Sequence, residues 1–145
     1  MGDIVSSVTK IFTKFISWFI PTPEIPDFGN SAANQEAQGV LVGGTRIFLE
    51  TSGADNQYLY GVLVLAEGEI NGITSIKFDD DTVTFSGSIA NGSTITSNDS
   101  RFGTNIQVQP FFGTDGQSAA SLLTGLSSWG SNHKLSGIAY IAFKL

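Results

Sequence analysis

The sequence predicts a mainly β, α+β protein: a β-sandwich or split-barrel-like domain with one short helix, preceded by an amphipathic N-terminal α-helix on a proline-rich linker. Three observations predict it. From residue 39 to residue 145, short apolar and polar alternations recur between clusters of Gly, Ser, Thr, Asn and Asp. Residues 1–20 instead repeat their apolar side chains in steps of three and four, which is a helical period. Between the two, Pro21, Pro23 and Pro26 exclude a helix and favour an extended spacer. The chain therefore divides into a helix (1–20), a linker (21–38) and a β-rich domain (39–145).

In the N-terminal segment, Asp3 stands as N-cap ahead of Ile4, and Pro21 ends the helix. Met1, Ile4, Val8, Ile11, Phe15 and Trp18 follow heptad a/d spacing, with Val5, Phe12 and Phe19 widening the stripe on one flank. Ser6, Thr9, Lys10, Thr13, Lys14 and Ser17 make the polar side. A stripe this wide must be buried, and Ile4, Val8, Ile11, Phe12, Phe15, Trp18 and Phe19 are its candidate contact residues. Three destinations are open: the chain's own β domain, other helices in an oligomer, or a membrane interface. Lys10 and Lys14 interrupt the apolar run before it could span a bilayer, and the start lacks the basic region and cleavage site of a secretory signal.

Residues 27–38 are small and polar without periodicity, and they extend the linker to a domain boundary near Gly39. Residues 45–50 alternate as a strand, and 51–56 supply turn residues. Residues 58–65 are apolar on both alternating faces: Tyr58, Tyr60, Val62 and Val64 on one, Leu59, Leu63 and Leu65 on the other. A strand with two apolar faces is covered on both sides and belongs inside a sheet. After Glu67, Gly68 and Glu69 comes Asn71-Gly72, the dipeptide best suited to a two-residue hairpin turn, so 73–78 is expected to return as the partner strand. Residues 79–81, three aspartates, form a tight connection into a half-wet strand at 82–86. Residues 87–103 read as a weak hairpin about Asn91-Gly92 or a long loop, 105–109 as an alternating strand, 118–126 as the short helix, and 137–145 as a last apolar strand.

Composition narrows the chemistry. At 145 residues, the chain can bury about 68% of its unfolded surface without staples. It contains no cysteine, which removes disulfides, thiolate metal sites and cysteine nucleophiles. A net charge of -6 with 14% charged residues is poorly suited to nucleic-acid phosphates. The aspartates at 79–81 lack the alternate ligands, the glycine and the distal glutamate of a calcium loop. Glu67 and Glu69 would share a strand face, but Gly68 between them marks a bend rather than an acid and base pair. His133 is the single histidine, and Ser127, Ser128 and Ser131 near it form no recognised nucleophile motif. Trp18, Trp129 and the 11 phenylalanines could serve sugar stacking or an interface, although such spacing usually marks core. No catalytic residue, cofactor or metal is expected, and the chain is read as a non-enzyme.

Several patches carry a resemblance: residues 44–53, 56–60, 65–73 (Leu65-Ala66-Glu67-Gly68-Glu69-Ile70-Asn71-Gly72-Ile73), 78–80 and 133–145. Together they resemble the N-terminal region of the central tail-tip proteins of long-tailed phages, the host-specificity protein J family of baseplate hub proteins. The helix and its proline-rich spacer look like the start of some members. Two features depart from the family pattern. A proline-containing strand segment expected between 39–42 and 44–46 is missing, and members are several times longer, with their receptor-binding parts towards the C-terminus. The resemblance implies a structural virion protein of the tail tip, made in the host cytoplasm, assembling as a homo-oligomer, typically a trimer. It would close the tube and contact other phage tail proteins, and no catalytic residues come with it; the surface charge, separately, leads to no expected nucleic-acid binding. Glu67, Gly68, Glu69, Asn71 and Gly72 form the family-signature hairpin. The alternative reading is a membrane-surface β-domain protein anchored by helix 1–20.

Overall fold

The computed structural model describes residues 43–78 and 80–145; the expected helix 1–20 and linker 21–38 lie outside them. The described chain is mainly β. Its strands are β1 (Thr45–Ser52), β2 (Tyr58–Glu67), β3 (Lys77–Phe78), β4 (Asp81–Thr82), β5 (Ile95–Thr96), β6 (Gln107–Phe112) and β7 (Ile138–Lys144). Five of them form an open antiparallel sheet in the order β1-β2-β7-β6-β5, and β3 and β4 form a separate two-stranded ribbon. The sheet does not close into a barrel.

The double-faced alternation of β2 explains the layering. Leu59 and Leu63 point to one side of the sheet, joined by Val108, Ile141 and Phe143, and are covered by Ile76, Phe78, Val83, Ile95 and Ile106. Val62 points to the other side with Phe111, Tyr140 and Ala142, under Ala120, Leu123 and Trp129. The excursion between β2 and β6 thus roofs one face, and the excursion between β6 and β7 roofs the other. β7 then inserts between β2 and β6, which explains its burial on both faces. Gly61 interrupts the apolar run of β2 because the Phe143 ring and the Leu49 side chain occupy the space a Cβ would need.

Several expectations are corrected. No hairpin forms at Asn71-Gly72: β1 and β7 occupy the two edges of β2, and Gly68, at φ 91°, turns the chain out of the strand before Asn71. The tight reversal comes later, where Phe78 pairs with Asp81 and Asp80 adopts a left-handed φ of 67°. The strand expected over 73–78 shrinks to β3, and that over 82–86 to the end of β4 plus a single bridge, Phe85 to Ser97. The helix expected over 118–126 is one 3-10 turn, Ser121–Leu123, whose flanking Ala120 and Thr124 are extended. A segment this short lacks the hydrogen bonds to offset helix nucleation and takes its shape from burying Ala120 and Leu123.

β6 runs through Pro110. The Pro110 carbonyl accepts from Gly92 N at 2.7 Å, so the residue turns its backbone polar edge away from β7. Its missing N–H lies on that same outer edge, beyond the two-residue β5, where no ladder bond is lost.

Candidate functional site

The residues expected to make contacts fall into two groups. Ile4, Val8, Ile11, Phe12, Phe15, Trp18 and Phe19 lie outside the described residues. Glu67, Gly68, Glu69, Asn71 and Gly72 are described: Glu67 is the last residue of β2, and the others lie on the irregular segment that leaves it. Glu67, Glu69, Asn71 and Gly72 are exposed.

Backbone bonds on one side fix this segment. Gly68 N donates to Gly137 O at 2.7 Å, and Ile70 N donates to Phe112 O at 2.8 Å. The ends of β6 and β7 therefore hold the exit of β2. The approach is close: at Gly113, φ 88°, an added Cβ would press on the Gly68 carbonyl and lie 3.0 Å from Ala139 N. Glycine is required there both by the left-handed φ and by the contact. Behind this junction sits Gln117, buried at 6% exposure. Its Oε1 accepts from Gly113 N at 3.2 Å, and its Nε2 faces the carbonyls of Lys134, Leu135 and Ile138. One amide thus ties both ends of the 113–137 excursion together.

A second feature emerges only from strand order. Glu50 pairs with Tyr60, Tyr60 with Lys144, Lys144 with Gln107, and Gln107 with Thr96. These five half-exposed residues make one row across all five strands. The Lys144 ammonium lies 3.9 Å from the centre of the Tyr58 ring and 5.7 Å from that of Tyr60. Gln107 Nε2 donates to Thr96 Oγ1 at 3.4 Å. At the far end Glu50 receives Ser127 N at 2.9 Å, Ser127 Oγ at 3.0 Å and Ser128 N at 3.2 Å. The Ser127 N–H above all, with its hydroxyl and the Ser128 donors, holds the Glu50 carboxyl below the usual carboxylate range. The individual residues carried a period-two signal, but their alignment depends on β7 entering between β2 and β6, which no local pattern announces.

The roof contains the sequence's serine and histidine cluster, and its groups face different partners. Ser127 Oγ donates to Glu50, whereas His133 Nδ1 accepts from Gly130 N at 2.9 Å and its ring stacks on Trp129 at 4.9 Å. Trp129 in turn meets Phe48 at 5.1 Å. Trp129 therefore pins the loop to β1. On the opposite roof, Asp99 accepts from Arg101 N at 2.9 Å and from Thr84 N and Oγ1 at 3.3 Å, and these donors hold its carboxyl low. Arg101 makes an ion pair with Asp81 and lies over Phe102. Among the described residues no group of three potential ligands is placed to hold a metal ion, and no helix is long and apolar enough to cross a membrane.

Compared with known proteins, the sequence matches no family model and no curated protein.

Proposed function

We propose that the chain is a structural virion protein of a phage tail tip, a hub-type subunit that assembles around the tail axis and works through protein contacts. The observation that carries the reading is where the hub-like patches fall. Residues 44–53 supply β1, 56–60 begin β2, 65–73 leave it, and 133–145 supply β7. These strands are neighbours in the order β1-β2-β7, so four patches far apart in sequence form one continuous half of the sheet, while the fifth begins at Phe78 in the separate β3-β4 ribbon. The signature segment 67–72 lies at the end of this half-sheet as an exposed, backbone-pinned surface suited to a subunit contact. Residues 1–20 would supply the second contact, packing with copies of themselves as a homo-oligomer, a trimer in the hub arrangement.

Mass photometry of the full chain tests the reading. Species at multiples of 15.3 kDa are expected, with the trimer leading. A particle that stays monomeric at high concentration would overturn the assembly role. Co-sedimentation with liposomes, lost in Phe12→Asp/Phe15→Asp, would instead select the membrane-surface alternative.

A further inference from the structure

The sequence contains two Asn-Gly dipeptides, and the fold treats them in opposite ways. Asn91-Gly92 is locked. Gly92 N donates to Pro110 O at 2.7 Å, Asn91 Oδ1 accepts from Phe112 N at 2.9 Å, and Gln109 Nε2 donates to Gly92 O at 2.8 Å. Asn71-Gly72 is exposed, and among the described residues neither the Asn71 amide nor the Gly72 N–H has a hydrogen-bond partner. From Ile70, which donates to Phe112 O, the next backbone donation outside the strands is from Val83.

We propose that Asn71 is a site of spontaneous covalent modification, deamidation through a cyclic imide, and that the fold protects Asn91 from the same reaction. In the first step the Gly72 backbone nitrogen loses its proton to a solvent base and attacks Asn71 Cγ. A Cγ–N bond forms, the Cγ–Nδ2 bond breaks, and the amide leaves as ammonia after taking a proton from water. Water then opens the succinimide at either carbonyl, giving aspartate or isoaspartate, with no oxidant or reductant required. Glycine at the second position matters because it places no Cβ beside the attacking nitrogen. At Asn91 the same attack needs the Gly92 proton that Pro110 O holds and a rotation of the side chain that Phe112 N restrains. The product adds one negative charge to a segment already carrying Glu67 and Glu69, and isoaspartate also lengthens the backbone there. The site is therefore a clock on the exposed exit of β2, independent of what that surface binds.

The test is ageing of the full chain at mildly alkaline pH, followed by tryptic mapping and enzymatic isoaspartate methylation. Cleavage after Arg46, Lys77 and Arg101 puts Asn71 and Asn91 on separate peptides. Each hydrogen bond that must open first slows the reaction by up to about tenfold, so the folded chain should modify Asn71 at least about tenfold faster than Asn91. The urea-unfolded chain should lose this difference, and Asn71→Gln should abolish the early product. Equal rates at the two sites in the folded chain, or faster reaction at Asn91, would overturn the proposal. So would an unmodified Asn71 under conditions where the unfolded chain reacts.

Discussion

Replacing Gln117 with leucine removes the amide that ties the two ends of the 113–137 excursion while nearly conserving side-chain volume. In the folded chain the Gln117 amide satisfies Gly113 N, which is buried, and its two Nε2 hydrogens serve the carbonyls of Lys134, Leu135 and Ile138. Gly113 N has no water to turn to, so its loss costs about 1–3 kcal/mol. The carbonyls belong to exposed or half-exposed residues, so each lost bond costs nearer 1 kcal/mol. Leucine recovers part of this through its greater apolar burial, leaving a net destabilisation of about 2–3 kcal/mol. With a urea slope of about 2 kcal/mol per molar, the unfolding midpoint should fall by about 1–1.5 M. Equilibrium urea unfolding of wild type and Gln117→Leu measures this. An unchanged midpoint would refute the claim that this amide holds the excursion to the sheet. A control makes the donor role specific: Gln117→Glu keeps an acceptor for Gly113 N but, when ionised, offers the carbonyls nothing. Burial beside carbonyl oxygens raises the folded-state pKa of that introduced carboxyl, so the variant should regain stability as pH falls and lose it as pH rises from the ordinary glutamate range.

Four further outcomes are expected. Gly113→Ala should destabilise by about 3 kcal/mol or more, because left-handed backbone and a Cβ against the Gly68 carbonyl act together; a neutral result in thermal unfolding would contradict that contact. Tyr140→Phe should be neutral or stabilising by up to about 1 kcal/mol, since burial leaves the hydroxyl without a partner and raises its pKa; a clear loss of stability would mean the hydroxyl is bonded. Glu50 has a depressed folded pKa, so its tether is complete above the unfolded carboxylate pKa and is lost as pH falls through the folded value. Amide shifts of Ser127 and Ser128 should follow that titration, and Glu50→Gln should remove it; unchanged shifts in the wild type would sink the assignment. Phe12→Asp/Phe15→Asp should shift mass-photometry populations from oligomer to monomer, and an unaltered distribution would remove residues 1–20 from the proposed assembly contact.

The contrast between β2 and its surroundings shows what the sequence could and could not carry. Tyr58 to Leu65 announced a strand buried on both faces, because its alternation left no polar side for solvent, and Leu59 and Val62 indeed belong to opposite cores. The last apolar run was equally plain as β7. What was hidden is that these two, about eighty residues apart, pair with each other rather than β2 with residues 73–78. Asn71-Gly72 carries a strong local turn preference, but non-local pairing to β7 and the bend at Gly68 override it. The sequence reads a strand over 105–109, whereas β6 spans Gln107–Phe112 through Pro110, which the outer-edge placement of its missing N–H allows. The row from Glu50 to Thr96 exists only through register across five strands, so no local stretch of sequence contains it.

The proposed place of the chain is the tail tip. Negative-stain microscopy of phage particles released from cells carrying an epitope-tagged copy of the chain, labelled with gold-conjugated antibody, tests it most directly. Gold confined to the distal end of the tails is the expected result. Particles without label, with the tagged chain recovered in the membrane fraction of the host, would contradict it.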